Sequence, residues 1–128
     1  MSTHARRGRL AARLAAAVVM ALSVVGCATT ESGFRPLGQA YPPKPADFAV
    51  EIFESSEPTR SFERIARLDT HFEKTHLMTT ARDAGVAELT KQARAAGADA
   101  IIEVREMRSR VGETFILHMT GIGIRYTP

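Results

Sequence analysis

The 128-residue sequence holds one cysteine, Cys27, and no tryptophan. A single cysteine excludes an intrachain disulfide, so the fold must rest on an apolar core or on assembly with other copies. Aromatics are few, six Phe and two Tyr. No apolar run approaches the ~20 residues that a membrane-spanning helix needs. The longest, Leu14 to Val25, has twelve residues with Ser23 as its one polar member. As a helix it would rise about 18 Å against a hydrocarbon core of roughly 30 Å. Acidic residues are missing at the start, where Glu31 is the first. Arg6, Arg7, Arg9 and Arg13 therefore stand unopposed before the apolar run. A basic start, a short apolar stretch and small residues after it are the pattern of a secretory signal peptide.

That segment also explains the calculated pI near 9.5. It carries four of the 17 Lys and Arg, and residues 27–128 keep 13 bases against 14 acids. Without it the chain is close to neutral, and no basic cluster with interleaved aromatics points to nucleic acid.

The apolar run closes on Val24-Val25-Gly26-Cys27. This resembles the lipobox of bacterial lipoproteins. The resemblance implies cleavage before Cys27, a diacylglyceryl group on its thiol and a further acyl chain, such as palmitate, on the freed amine. Two or more acyl chains give stable anchoring. The expected organisation is a signal peptide over 1–26, a lipidated N-terminus and Pro-rich tether over 27–46, and a small domain over 47–128. Ala28 after the lipidated cysteine favours the outer membrane, with the domain in the periplasm. Arg6-Arg7 faintly resembles a twin-arginine signal, but the usual aromatic is missing and the general secretory route is the expectation.

Pro36, Pro42, Pro43 and Pro45 remove backbone donors and favour extended chain, which suggests a tether. Its alternative is a tail packed on the domain through Phe34 or Tyr41. Phe48, Val50 and Ile52 alternate, predicting a strand over 48–53. A second strand is expected from Phe62 to Phe72, with Phe62, Ala66, Leu68 and Phe72 in phase; Ile65 breaks the alternation, which leaves a bulge or a two-sided strand open. Thr79-Thr80 opens a helix whose stripe is Val86, Leu89, Ala93 and Ala96, with Gly97 as its left-handed terminator. A third strand covers 101–107. Residues 109–113 form a hairpin, and a fourth strand runs from Thr114 to Tyr126. Gly121 and Gly123 in that strand suggest close approach of the helix. The expected fold is a two-layer α+β sandwich: a four-stranded sheet with one helix in the order ββαββ.

The segment from Ala87 to Ile102, AELTKQARAAGADAII, is similar to two bacterial groups. One is the heavy-metal-binding domain family, whose members form ring-like oligomers. The other is the outer-membrane stress-sensing lipoprotein of the Rcs phosphorelay and its relatives. Both imply a small α/β domain with a Gly-Ala-Asp-Ala type of turn. In that turn Gly97 would cap the helix, Ala98 and Ala100 would allow it onto the sheet, and Asp99 would hold turn amides.

Candidate chemistry is limited. His71 and His76 flank Glu73, a set able to bind zinc or copper, although the spacing is not that of a helix face and two solvated histidines are the alternative. His118, mid-strand, reads as packed or surface. A hydrolase would need a serine nucleophile beside an imidazole, and Ser55, Ser56, Ser61 and Ser109 lie in turn-like sequence without elbow glycines. Arg105, Arg108 and Arg110 alternate with Glu103, Glu106 and Glu113 as a solvated charged edge. The expectation is a non-enzymatic envelope lipoprotein without a cofactor. It would be anchored by Cys27, and its domain would bind a protein partner or a second copy. The rivals are a metal-binding lipoprotein using His71, His76 and Glu73, and a small hydrolase.

Overall fold

The computed structural model describes residues 32–75 and 82–128. The expected signal peptide over 1–26 with Val24, Val25 and Gly26, and also Cys27, His76 and Thr79-Thr80, lie outside them. Alternating and β-branched residues build the strands, in chain order β1 (Gly33–Pro36), β2 (Glu51–Ile52), β3 (Phe62–Thr75), β4 (Ala100–Val111) and β5 (Thr114–Tyr126). Among the described residues one helix, α1 (Arg82–Ala96), lies between β3 and β4. The sheet order is β1-β3-β5-β4-β2, antiparallel throughout except that β2 pairs parallel to β4. No helix among the described residues is long and apolar enough to cross a membrane.

This corrects the four-stranded ββαββ expectation in two places. The strand expected over 48–53 contracts to Glu51–Ile52. Its first half is diverted: Phe48 donates its amide to Pro45 O at 3.1 Å and accepts Arg94 Nε at 2.8 Å. Those groups are then unavailable to a ladder. The second correction is a fifth strand from the segment read as tether. Gly33–Pro36 pairs with Ala66–Asp69 along the outer side of β3. An edge strand tolerates a proline whose missing N–H would face away from the ladder. The following residues form a strap over the end of α1, where Lys44 N donates to Arg94 O at 2.8 Å and supplies a partner for a helix-terminal carbonyl.

The helix ends as expected. Gly97 has φ +80°. Ala98 N donates to Ala93 O at 2.9 Å and Gly97 N to Arg94 O at 3.1 Å, the paired bonds of a Schellman motif. The buried stripe of α1 is Gly85, Leu89, Gln92, Ala93 and Ala96, so Leu89 is its one large apolar anchor. Small residues let the helix sit low on the sheet. At Gly85 of α1 an added Cβ would run into Met119 of β5, whereas the crowding at Gly121 and Gly123 comes from Ile101 Cγ2 and Ala98 Cβ, outside the helix.

Two bulges set which side chains share a face. The register of β3 against β5 shifts between Arg64 and Ala66, placing the extra residue at Ile65. A one-residue shift flips every later side chain. Phe62 therefore packs with Ala100, Ile102 and Ile124 on the face away from the helix, whereas Ala66, Leu68 and Phe72 join Leu89, Leu117 and Met119 under it. The expected in-phase set loses Phe62 for this reason. The second shift falls between Ile102 and Arg105 of β4, where Glu103 has φ +53°, a rare conformation for a residue with a Cβ. Its carboxylate pairs with Arg64.

Candidate functional site

The turn after α1 ends in a carboxylate with long-range partners. Asp99 Oδ1 lies 2.6 Å from Lys44 Nζ on the strap, and Oδ2 accepts the Tyr126 amide at 2.9 Å. Asp99 thus ties strap to sheet instead of holding the turn's own amides. Burial pushes its pKa upward, but Lys44, the Tyr126 amide and Arg125 outweigh it and hold the carboxyl below its ordinary value. A depressed folded pKa gives stability that is present above the ordinary carboxylate range and is lost as pH falls through the folded value. Asp99→Asn is expected to cost about 1–3 kcal/mol at neutral pH. At acid pH, below the ordinary carboxylate range, the difference between the two proteins should shrink as the wild-type carboxyl takes up its proton. Urea denaturation at both pH values checks this.

The sheet face away from the helix is covered at one end by Phe53, Phe62, Ile122 and Tyr126 around the small second core. Its other end is polar. The Ile65 bulge turns Asp69, His71 and Glu73 onto this face, and His118 of β5 stands directly opposite His71. The imidazoles meet edge to face, with ring centroids 6.0 Å apart and planes at 63°. His71 Nε2 is 2.9 Å from Glu73 Oε1, and His118 Nε2 is 2.8 Å from Asp69 Oδ1. A carboxylate only accepts, so each Nε2 donates, and the neutral tautomer that fits this bond has its lone pair on Nδ1. Asp69 is fixed from behind: Gln92 Oε1 accepts its amide at 3.0 Å and Gln92 Nε2 donates to its carbonyl at 2.7 Å.

Sequence reasoning paired His71 with His76 and set His118 apart. The structure brings His71 and Glu73 together with His118 and Asp69. The missed partner is 47 positions away from His71, and its signal is the register of two long strands. Gln92 was also missed. The hint was a polar residue three positions after Leu89 on an otherwise apolar stripe.

The three arginines near the hairpin do not form a common patch. Arg108 and Arg82 both pair with Glu106, while Arg110 Nε donates to Gly112 O at 2.8 Å and stacks over Phe115. Among the described residues, neither imidazole hydrogen-bonds to the hydroxyl of Ser55, Ser56, Ser61 or Ser109.

A five-stranded mixed sheet with one helix across one face defines a small α+β domain, and its polar face carries two carboxylate-held imidazoles. Residues 69–125 match the family model described as "Putative heavy-metal-binding". That stretch contains both imidazoles and both carboxylates, and it describes a small binding module. Neither the curated proteins nor the solved structures give a match.

The family's description raises the question of which metal these residues would fit. Among the described residues no group of three or more His, Cys, Asp or Glu stands ready around one point, and none of them is a cysteine. A thiolate cage for a soft ion is therefore not built from these residues. Two imidazoles with open positions suit a borderline ion such as zinc or copper.

Proposed function

We propose that the protein is an envelope lipoprotein, acylated on Cys27, whose domain is a non-enzymatic binding module held at the outer membrane and facing the periplasm. The observation that carries this reading is the lone cysteine at the end of the apolar run, after Val24, Val25 and Gly26. The near-neutral charge of residues 27–128 agrees with it, since the basic excess sits in the segment removed. The ligand is a protein partner or a second copy, met by the polar sheet face or by β4, whose outer side is paired by β2 only at Ala100 and Ile101 among the described residues.

The test is the fate of Cys27→Ser in the native host. Wild-type protein is expected in the membrane fraction, with an N-terminal peptide beginning at an acylated Cys27. The variant is expected to lose both the acyl mass and the membrane association. Equal partition of the two forms, without an acyl mass, would overturn the reading.

A second reading, a metal-binding lipoprotein, is favoured by a separate observation. The family match spans the stretch that brings His71 and His118 face to face.

A further inference from the structure

We propose that His71 and His118, with Met107 beside them, form a copper site on the polar face of the sheet. The proposal rests on the metal-binding reading for its class of ligand, and adds the donors and the metal.

The donors form one row across three strands. Met107 of β4 is the register partner of His118 on β5, and His118 is the register partner of His71 on β3. Directly opposed residues of antiparallel strands project from the same face. Met107 reaches this face because the Glu103 bulge reverses the alternation of β4. Without the bulge its side chain would point to the helix side. Neighbouring strands are about 4.8 Å apart, so a long thioether side chain on β4 can reach an ion seated over β5. Met107 is 65 % exposed, a high value for a methionine in a sheet that buries Met119 completely.

The imidazoles are arranged as metal-ligating histidines commonly are, with one ring nitrogen on a carboxylate and the other free. Glu73 and Asp69 supply the carboxylates. With metal–nitrogen bonds of about 2.0 Å and tetrahedral angles, two imidazoles on one ion have centroids about 5 Å apart. The separation here is 6.0 Å, about 1 Å wider than that spacing. Water or an oxygen of Asp69 or Glu73 can fill a remaining position. Imidazole accepts zinc and copper alike, but a thioether is a soft donor that selects Cu(I). Two imidazoles and one thioether therefore distinguish copper from zinc.

The test is titration of the full-length protein, purified in detergent without a histidine tag, with Cu²⁺, Zn²⁺ and, under reducing conditions, Cu⁺. One equivalent of copper is expected to bind and to shift the imidazole proton resonances of His71 and His118. Losing an imidazole ligand should cost at least what losing its orienting carboxylate does. His71→Ala and His118→Ala are therefore each expected to weaken binding by about tenfold or more, and Asp69→Asn by about tenfold. Met107→Leu should weaken Cu⁺ and leave Zn²⁺ unchanged. Far-UV circular dichroism of each variant separates a lost site from a lost fold. Copper binding that survives His118→Ala but fails in His76→Ala would overturn this site and leave the metal-binding reading standing. Absence of binding by any of the three ions would overturn both. Binding of zinc and copper with Met107→Leu indifferent to each would overturn the assignment to copper.

Discussion

Replacing Gly97 by alanine is expected to lower the unfolding free energy by about 2–4 kcal/mol, with a visible loss of order in the strap. Two costs combine. Gly97 has φ +80°, and a residue with a Cβ is about 1–2 kcal/mol less stable in the left-handed region. The new Cβ would also stand 2.6 Å from Pro42 O and 2.9 Å from Tyr41 Cβ. One neighbour is backbone and the other is the root of a side chain, so neither yields by a rotamer change. The chain at 41–42 must lift, and the Lys44 contacts to Arg94 O and Asp99 are strained with it. Gly112 is the control. Its φ is +59°, but a Cβ there would meet nothing within 4 Å. Gly112→Ala should show the conformational cost alone, about 1–2 kcal/mol. Urea denaturation of the two variants separates backbone strain from the strap contact. Equal losses would mean that the strap contributes nothing at this point.

Leu89→Ala is expected to cost about 2–5 kcal/mol. Leu89 is 1 % exposed. The other buried positions of its stripe are Gly85, Gln92, Ala93 and Ala96, so truncation removes the single large apolar group that the helix inserts. Nearby Gly121 offers no side chain to fill the cavity, and the strands beneath are fixed by long ladders. For a domain whose total stability is about 5–15 kcal/mol, this is a large share. Val111→Ala is the contrast: at 68 % exposure it should change stability by less than about 0.5 kcal/mol. A thermal or urea midpoint for each settles the ranking, and equal effects would show that α1 is not anchored through Leu89.

The parts legible in the sequence were those governed by short-range rules. β5 runs from Thr114 to Tyr126 as its alternation predicts, and the hairpin closes at Gly112-Glu113. Gly97 ends the helix, and Ile65 marks a bulge, one of the two readings its broken alternation allows. The parts that escaped depend on distant partners. Gly33–Pro36 lies at the start of a proline-rich stretch and becomes a strand only because β3 offers an open edge. Phe48 and Val50 alternate as a strand should, yet Arg94 and Pro45 take up the backbone of Phe48 first. The row of Met107, His118 and His71 needs two bulges and two registers at once. His71 could be singled out by type, but its partner could not.

The strap has a mechanical consequence. A tether of nineteen free residues would let the domain roam up to about 60 Å from its lipid. Because Gly33–Pro36 and Lys44 are bound into the fold, a lipid on Cys27 would hold the domain on a leash of at most about 17 Å, the fully extended reach of the chain from Cys27 to Ser32. The leash joins at Ser32, whose hydroxyl lies 3.4 Å from the amide nitrogen of His71. The domain would ride close against the bilayer with its imidazole row near the point of attachment and β4 on the far side of β3 and β5. Confinement of that kind turns a search in a volume into a search on a surface. It raises the effective concentration of partners held in the same membrane and gives no such gain to partners free in solution.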